Sequence, residues 1–132
     1  IIMKVNFLEI QPSQFYISKQ KNRRNRKVVQ SNDLSNFQPI PIKVLNGKII
    51  FADGHTRAFV AYKHGLTQIP LYWENEELSW HLYESCVEEC NIRGVFNIKD
   101  LEIRIVNSND YKILWEKWCD NLQSKNKFKE TA

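Results

Sequence analysis

The apolar positions read as strands and one helix as far as residue 73, and mostly as helix beyond it. Residues 4–10 predict a strand in which Val5, Phe7 and Glu9 share a face. Residues 18–36 form a polar connection whose substantial apolar anchors are Val28, Val29 and Leu34. A solvated helix or a mobile loop is expected there. Val44-Leu45 and Ile49-Ile50 then flank Asn46-Gly47, a pair that supplies the positive φ angles of a two-residue hairpin turn. Its second arm, residues 48–52, runs into Asp53-Gly54. From Thr56 the composition turns helical until Gly65, which suits the left-handed position after a helix. Residues 69–73 predict a further strand, with Pro70 placing it at a sheet edge or a strand start.

In the C-terminal part, Ser79 is placed to cap a helix through Glu89. Tyr83, Cys86, Val87 and Cys90 follow the helical i, i+3, i+4, i+7 spacing, and residues 91–94 end it. Leu101, Ile103 and Ile105 alternate with Glu102, Arg104 and Val106, the pattern of a half-buried strand. A last helix begins near Asn107 or Ser108 and carries Tyr111, Leu114, Trp115, Trp118 and Leu122 as one apolar stripe, while residues 123–132 are expected to fray. No Gly/Ser linker or internal repeat divides the chain. The expectation is one α/β domain over residues 1–132, with a small mixed sheet and a core at about 3–73. A C-terminal extension of strand and helices covers about 74–122.

Charge changes this picture by splitting it. Residues 1–67 hold eleven Lys/Arg against three acids, and residues 68–132 hold eight against twelve, within a net +4. One half is thus suited to phosphates, and the whole is less basic than a broad DNA-binding face. Residues 19–27 concentrate six basic residues with no acid, Lys21, Arg23 and Arg24 among them. They fit a solvated face, a basic flap over phosphates or a nucleic-acid arm, although without aromatics the run does not indicate base stacking. Cys86, Cys90 and Cys119 are an odd set with no second metal-type pair, and are expected as reduced, buried thiols. The acids Glu74, Glu76 and Glu77 precede a helix and are expected to act on its dipole. No apolar stretch reaches the ~20 residues of a membrane span. Met3 falls at or near a natural start with no signal peptide before it, so a cytoplasmic protein without a membrane partner is expected.

The candidate chemistry lies at the strand–turn–helix junction, Asp53-Gly54-His55-Thr56-Arg57. A helix start presents unpaired N–H groups and the positive end of the helix dipole to an anion. Gly54 lets backbone approach a ligand, and His55, Thr56 and Arg57 add a switchable donor, a hydroxyl and a cationic fork. The same residues also fit a tight turn in which Asp53 merely caps the helix.

These residues, with Ile40 to Leu45 and Ile69-Pro70-Leu71, resemble the core of the ParB/sulfiredoxin superfamily. The resemblance implies a small mixed sheet with a phosphate-binding helix. The 53–57 motif is similar in four of five positions to the Asp-Gly-His-His-Arg motif of ADP-dependent free-serine kinases. Partition ParB proteins carry Gly-Glu-Arg-Arg-x-Arg there, to which Gly54 and Arg57 correspond. His55 stands where sulfiredoxins carry their reactive Cys, so that reaction is not expected. The family's first box corresponds to Ile10-Gln11-Pro12-Ser13-Gln14-Phe15-Tyr16. The kinases place a catalytic Glu two residues after the Pro; Gln14 stands here, as in the Asn-Pro-x-Gln box of ParB, and an amide cannot serve as a base. Asp53, and more weakly Glu9, remain as carboxylates to orient an acceptor, with Asp53 also the candidate Mg2+ ligand. The resemblance implies a nucleotide (ATP, ADP or CTP) held with Mg2+ by residues 54–57, with Lys21, Arg23 and Arg24 assisting. It implies a small-molecule, serine-type kinase acting on a hydroxyl-bearing metabolite. The alternative is a non-catalytic nucleotide-binding switch or DNA-associated adaptor; a nuclease rests on fold analogy alone.

Overall fold

The computed structural model describes residues 6–30, 37–66 and 69–131. Met3, Lys4, Val5 and Leu34 lie outside the described residues. Phe7–Glu9 is a single 3₁₀ turn and not the end of a strand. Asn6 explains the difference: its Oδ1 accepts from Leu8 N–H at 3.0 Å and its carbonyl from Glu9 N–H at 2.9 Å. Such local bonds compete with a sheet ladder. The extended stretch comes slightly later, where Gln11 N–H donates to the Ile49 carbonyl and Phe51 N–H to the Gln11 carbonyl, both at 3.0 Å.

Strand β1 (Ile17–Ser18) leads into helix α1 (Lys19–Gln30), so the basic run is helical. Val29 is buried and Val28 half-buried, while most of its cations face solvent. Strands β2 (Ile40–Leu45) and β3 (Lys48–Phe51) form the expected hairpin, with Ile42 opposite Phe51 and Leu45 opposite Lys48. Asn46 at φ 50° and Gly47 at φ 79° give the turn its left-handed pair. Helix α2 (His55–Lys63) follows, and then β4 (Leu71–Trp73), which pairs parallel to β2 and leaves the order β3-β2-β4.

Helix α3 (Trp80–Ile92) has Ser79 at its N-cap, but no side-chain capping bond forms there. The expected strand at 101–106 is instead a 3₁₀ segment, Ile98–Arg104, with only β5 (Ile105–Val106) extended and paired parallel to β1. A capping box decides this: Asn97 Oδ1 accepts from Lys99 N–H, and Asp100 Oδ2 accepts from Asn97 N–H at 3.2 Å. Ile103, expected inside, is 90 % exposed. The last helix begins as α4 (Ser108–Tyr111), capped by Asn107, and passes through a π-helical turn (Lys112–Glu116) into α5 (Lys117–Thr131). It therefore continues through most of the stretch expected to fray.

The core gathers Ile10, Phe15 and Ile17 with the inner faces of β2 to β4, Ala58 to Ala61 of α2, and Val95, Ile98 and Leu101. Phe15 is fully buried, with the rings of Trp115 and Trp118 edge-on at 5.0 and 4.9 Å. These contacts join α5 to the segment that carries Gln14. Among the described residues no helix is long and apolar enough to cross a membrane.

Candidate functional site

The 53–57 turn is built as an uncapped helix start. Gly54 is the N-cap of α2 at φ 72°, ψ 25°, a left-handed conformation that glycine adopts without strain. Among the described residues no side chain caps the helix. Asp53 does not act as the cap: its Oδ1 accepts from Gly54 N–H at 2.8 Å, leaving the first-turn amides of α2 without a side-chain acceptor. Arg57 folds back over the turn. A Cβ at Gly54 would lie 2.7 Å from Arg57 Nη2, so a larger residue would displace the flexible guanidinium as well as strain the positive φ. Arg57 Nη1 donates to Gln38 Oε1 at 3.1 Å and to the Gln38 carbonyl at 3.3 Å.

His55 is the buried centre of this turn, 3 % exposed. Its Nε2 accepts from Ser13 N–H at 2.9 Å, which fixes the neutral ring with its proton on Nδ1. Nδ1 is buried and, among the described residues, has no hydrogen-bond partner. Burial holds the His55 pKa down at about 4, against a smaller opposing pull from the Asp53 carboxylate. The expected switchable donor is therefore a fixed, neutral one near pH 7. The Ser13 hydroxyl donates to the Phe51 carbonyl at 2.7 Å and anchors this contact to β3.

Two cavities meet at these residues. One, about 380 Å³, is lined by Gly54, Thr56 and Arg57 from α2 and by Lys21, Arg24, Asn25 and Val28, one face of α1. Among the described residues no ion pair ties Lys21, Arg24 or Arg57. The other, about 540 Å³, has an acidic and apolar wall that includes Glu74, Glu76, Leu82, Tyr83, Trp115 and Leu122. Gln14, Asp53, His55 and Tyr111 line both. Both volumes fall in the ordinary range for small-molecule sites.

The structure thus brings Gln14, Lys21, Arg24, Asp53, Gly54, His55, Thr56 and Arg57 together. Arg23 and Glu9 line neither cavity: Arg23 is exposed on a different face of α1, and Glu9 is exposed in the 3₁₀ turn. Glu74 and Glu76 face the larger cavity, and no acid occupies the first turn of α3, so the expected dipole role does not apply. Cys86 and Cys119 also line the larger cavity, their thiols pushed up by burial to about 12 and about 11. The described residues hold no group of three or more His, Cys, Asp or Glu able to bind a metal.

Ser13, Gln38 and Tyr111 join the site without a motif of their own in the sequence. Ser13 and Gln38 act through backbone or long-range contacts with no local sequence signal. Tyr111 belongs to the apolar stripe by spacing, and only the tertiary fold places its hydroxyl beside Gln14.

No protein-family model and no curated protein matches the chain. Among solved structures it is similar to the protein Atu1540 from Agrobacterium tumefaciens, with a TM-score of 0.53 and 14 % identity. That match covers 77 % of this chain, which spans only 61 % of the neighbour. The likeness concerns the fold alone, a mixed α/β arrangement with small sheets.

Proposed function

We propose that this chain is a nucleotide-binding protein of ParB/sulfiredoxin type that holds phosphates in the 380 Å³ cavity. The observation that carries the reading is a helix start with no side-chain cap among the described residues, lining one cavity with Lys21, Arg24 and Arg57. Lys21, Arg24 and Arg57 supply the countercharge. Asp53 is the carboxylate common to both cavities. Mg2+ characteristically uses one or two carboxylates together with phosphate oxygens, and Asp53 would hold it here. Bound there, the ion would neutralise phosphate charge.

In the kinase form of this reading, Asp53 orients a hydroxyl-bearing acceptor in the larger cavity, because Gln14 cannot take its proton. The alternative is a non-catalytic switch or DNA-associated adaptor. The outward cations of α1, Arg23, Arg26 and Lys27, favour that form. The test is a thermal-shift series with ATP, ADP and CTP, with and without Mg2+, on the wild type and Arg57→Ala. A nucleotide at 100 times its Kd adds about 2.7 kcal/mol. A shift lost in Arg57→Ala supports the site, and equal shifts in both proteins overturn it. Mg2+-dependent product formation then separates the kinase from the switch.

A further inference from the structure

Gln14 stands where an acidic base was expected, yet its hydrogen bonds show a different use. Its Nε2 lies 2.7 Å from the Tyr16 carbonyl oxygen. A carbonyl only accepts, so the nitrogen of the amide must face it. The same nitrogen lies 3.2 Å from the Tyr111 hydroxyl. With one amide proton given to Tyr16, the other goes to Tyr111 Oη. That hydroxyl is thereby an acceptor toward Gln14 and keeps its own proton for another partner. Among the described residues no second bond of this hydroxyl is formed.

The ring is held as firmly as the hydroxyl is directed. Tyr111 is 7 % exposed, and Lys21 Nζ sits 5.0 Å from its centroid. It immediately precedes the π-helical turn, a feature frequent at functional sites, and both Tyr111 and Trp115 reach the larger cavity. Burial raises its pKa against the opposing bond from Gln14, so the group is a phenol at neutral pH.

The donors that converge on this junction share one property. The first-turn amides of α2 and the Tyr111 hydroxyl both offer protons, on residues that line one cavity with Lys21, Arg24 and Arg57. A group that accepts several hydrogen bonds and carries negative charge satisfies them; a base edge with donors of its own does not. We infer that Tyr111 is a ligand-binding residue that donates to a phosphoryl oxygen, and that Gln14 is the positioning residue that keeps it a donor. This rests on the phosphate-site reading given above. It also accounts for an amide at position 14. A carboxylate there would repel the Tyr16 carbonyl and draw the Tyr111 proton to itself.

The test is isothermal titration of the full chain with ADP and with inorganic pyrophosphate, which has no base or sugar. The proteins are the wild type, Tyr111→Phe, Gln14→Glu, the double variant and Arg57→Ala, each checked for an unchanged apo melting temperature. Tyr111→Phe is expected to weaken both probes about tenfold, the loss of one charge-assisted hydrogen bond. Gln14→Glu should weaken them as well, where restoring a base would leave binding intact. The double variant should lose less than the sum of the two, since Gln14 acts through Tyr111. A Tyr111→Phe protein with wild-type affinity, while Arg57→Ala fails to bind, overturns the inference and leaves the phosphate site standing. Loss confined to ADP overturns it too, because Tyr111 would then contact base or sugar. Failure of the wild type to bind either probe overturns the phosphate-site reading itself and this inference with it.

Discussion

Acidification should unfold this protein through one side chain more than through any general change of charge. His55 is 3 % exposed and accepts the Ser13 N–H on Nε2, so protonating it places a charge in a dry site and turns an acceptor into a donor. Its pKa is held at about 4 in the fold, against 6.5 for the ordinary side chain. The folded value lies below the unfolded one, so the full stability is present above about pH 6.5 and is lost as pH falls toward 4. At about 1.36 kcal/mol per unit, that window carries a loss of roughly 3 kcal/mol. Urea denaturation at pH 7.5, 6.5, 5.5 and 4.5 would measure it on the wild type and on His55→Gln. The Gln variant can still offer an acceptor to Ser13 but does not titrate. Acid effects from carboxylates common to both proteins cancel in the difference. The wild type should lose about 3 kcal/mol more than the variant across the series. Parallel slopes in the two proteins would refute the assigned neutral tautomer and its burial.

Three further outcomes follow from the same geometry. Gly54→Ala must give up φ 72° or displace the Arg57 guanidinium, at a cost of about 1–2 kcal/mol, and denaturation with nucleotide titration should show both stability and binding reduced. Arg24→Ala should weaken nucleotide binding while Arg23→Ala, off the cavity, should not, a contrast that titration resolves directly. Phe15→Ala removes the ring against which Trp115 and Trp118 pack, and should destabilise by about 3–5 kcal/mol with a change in tryptophan fluorescence.

What was legible in the sequence was what local chemistry alone decides. Asn46-Gly47 dictates its turn whatever surrounds it, and the apolar spacing of α2, α3 and the last helix is long enough to be unambiguous. The alternation at 101–106 was real but short, and the Asn97–Asp100 capping box prevailed over it. Asn6 likewise turned an expected strand into a 3₁₀ turn. Within the site, the α2 start was readable because its residues are consecutive. Lys21 and Arg24 were separable from Arg23 only once the α1 helix chose its face. Ser13 and Tyr111 depend on contacts spanning 42 and 97 positions, which no spacing rule supplies.

The central claim is that an anion sits on the first turn of α2, and amide NMR tests it where it stands. Titrating ¹⁵N-labelled protein with ADP and Mg2+ should shift the amides of His55, Thr56 and Arg57 together, along one saturating curve. Saturable shifts confined to other parts of the chain, with these three signals still, would contradict the account.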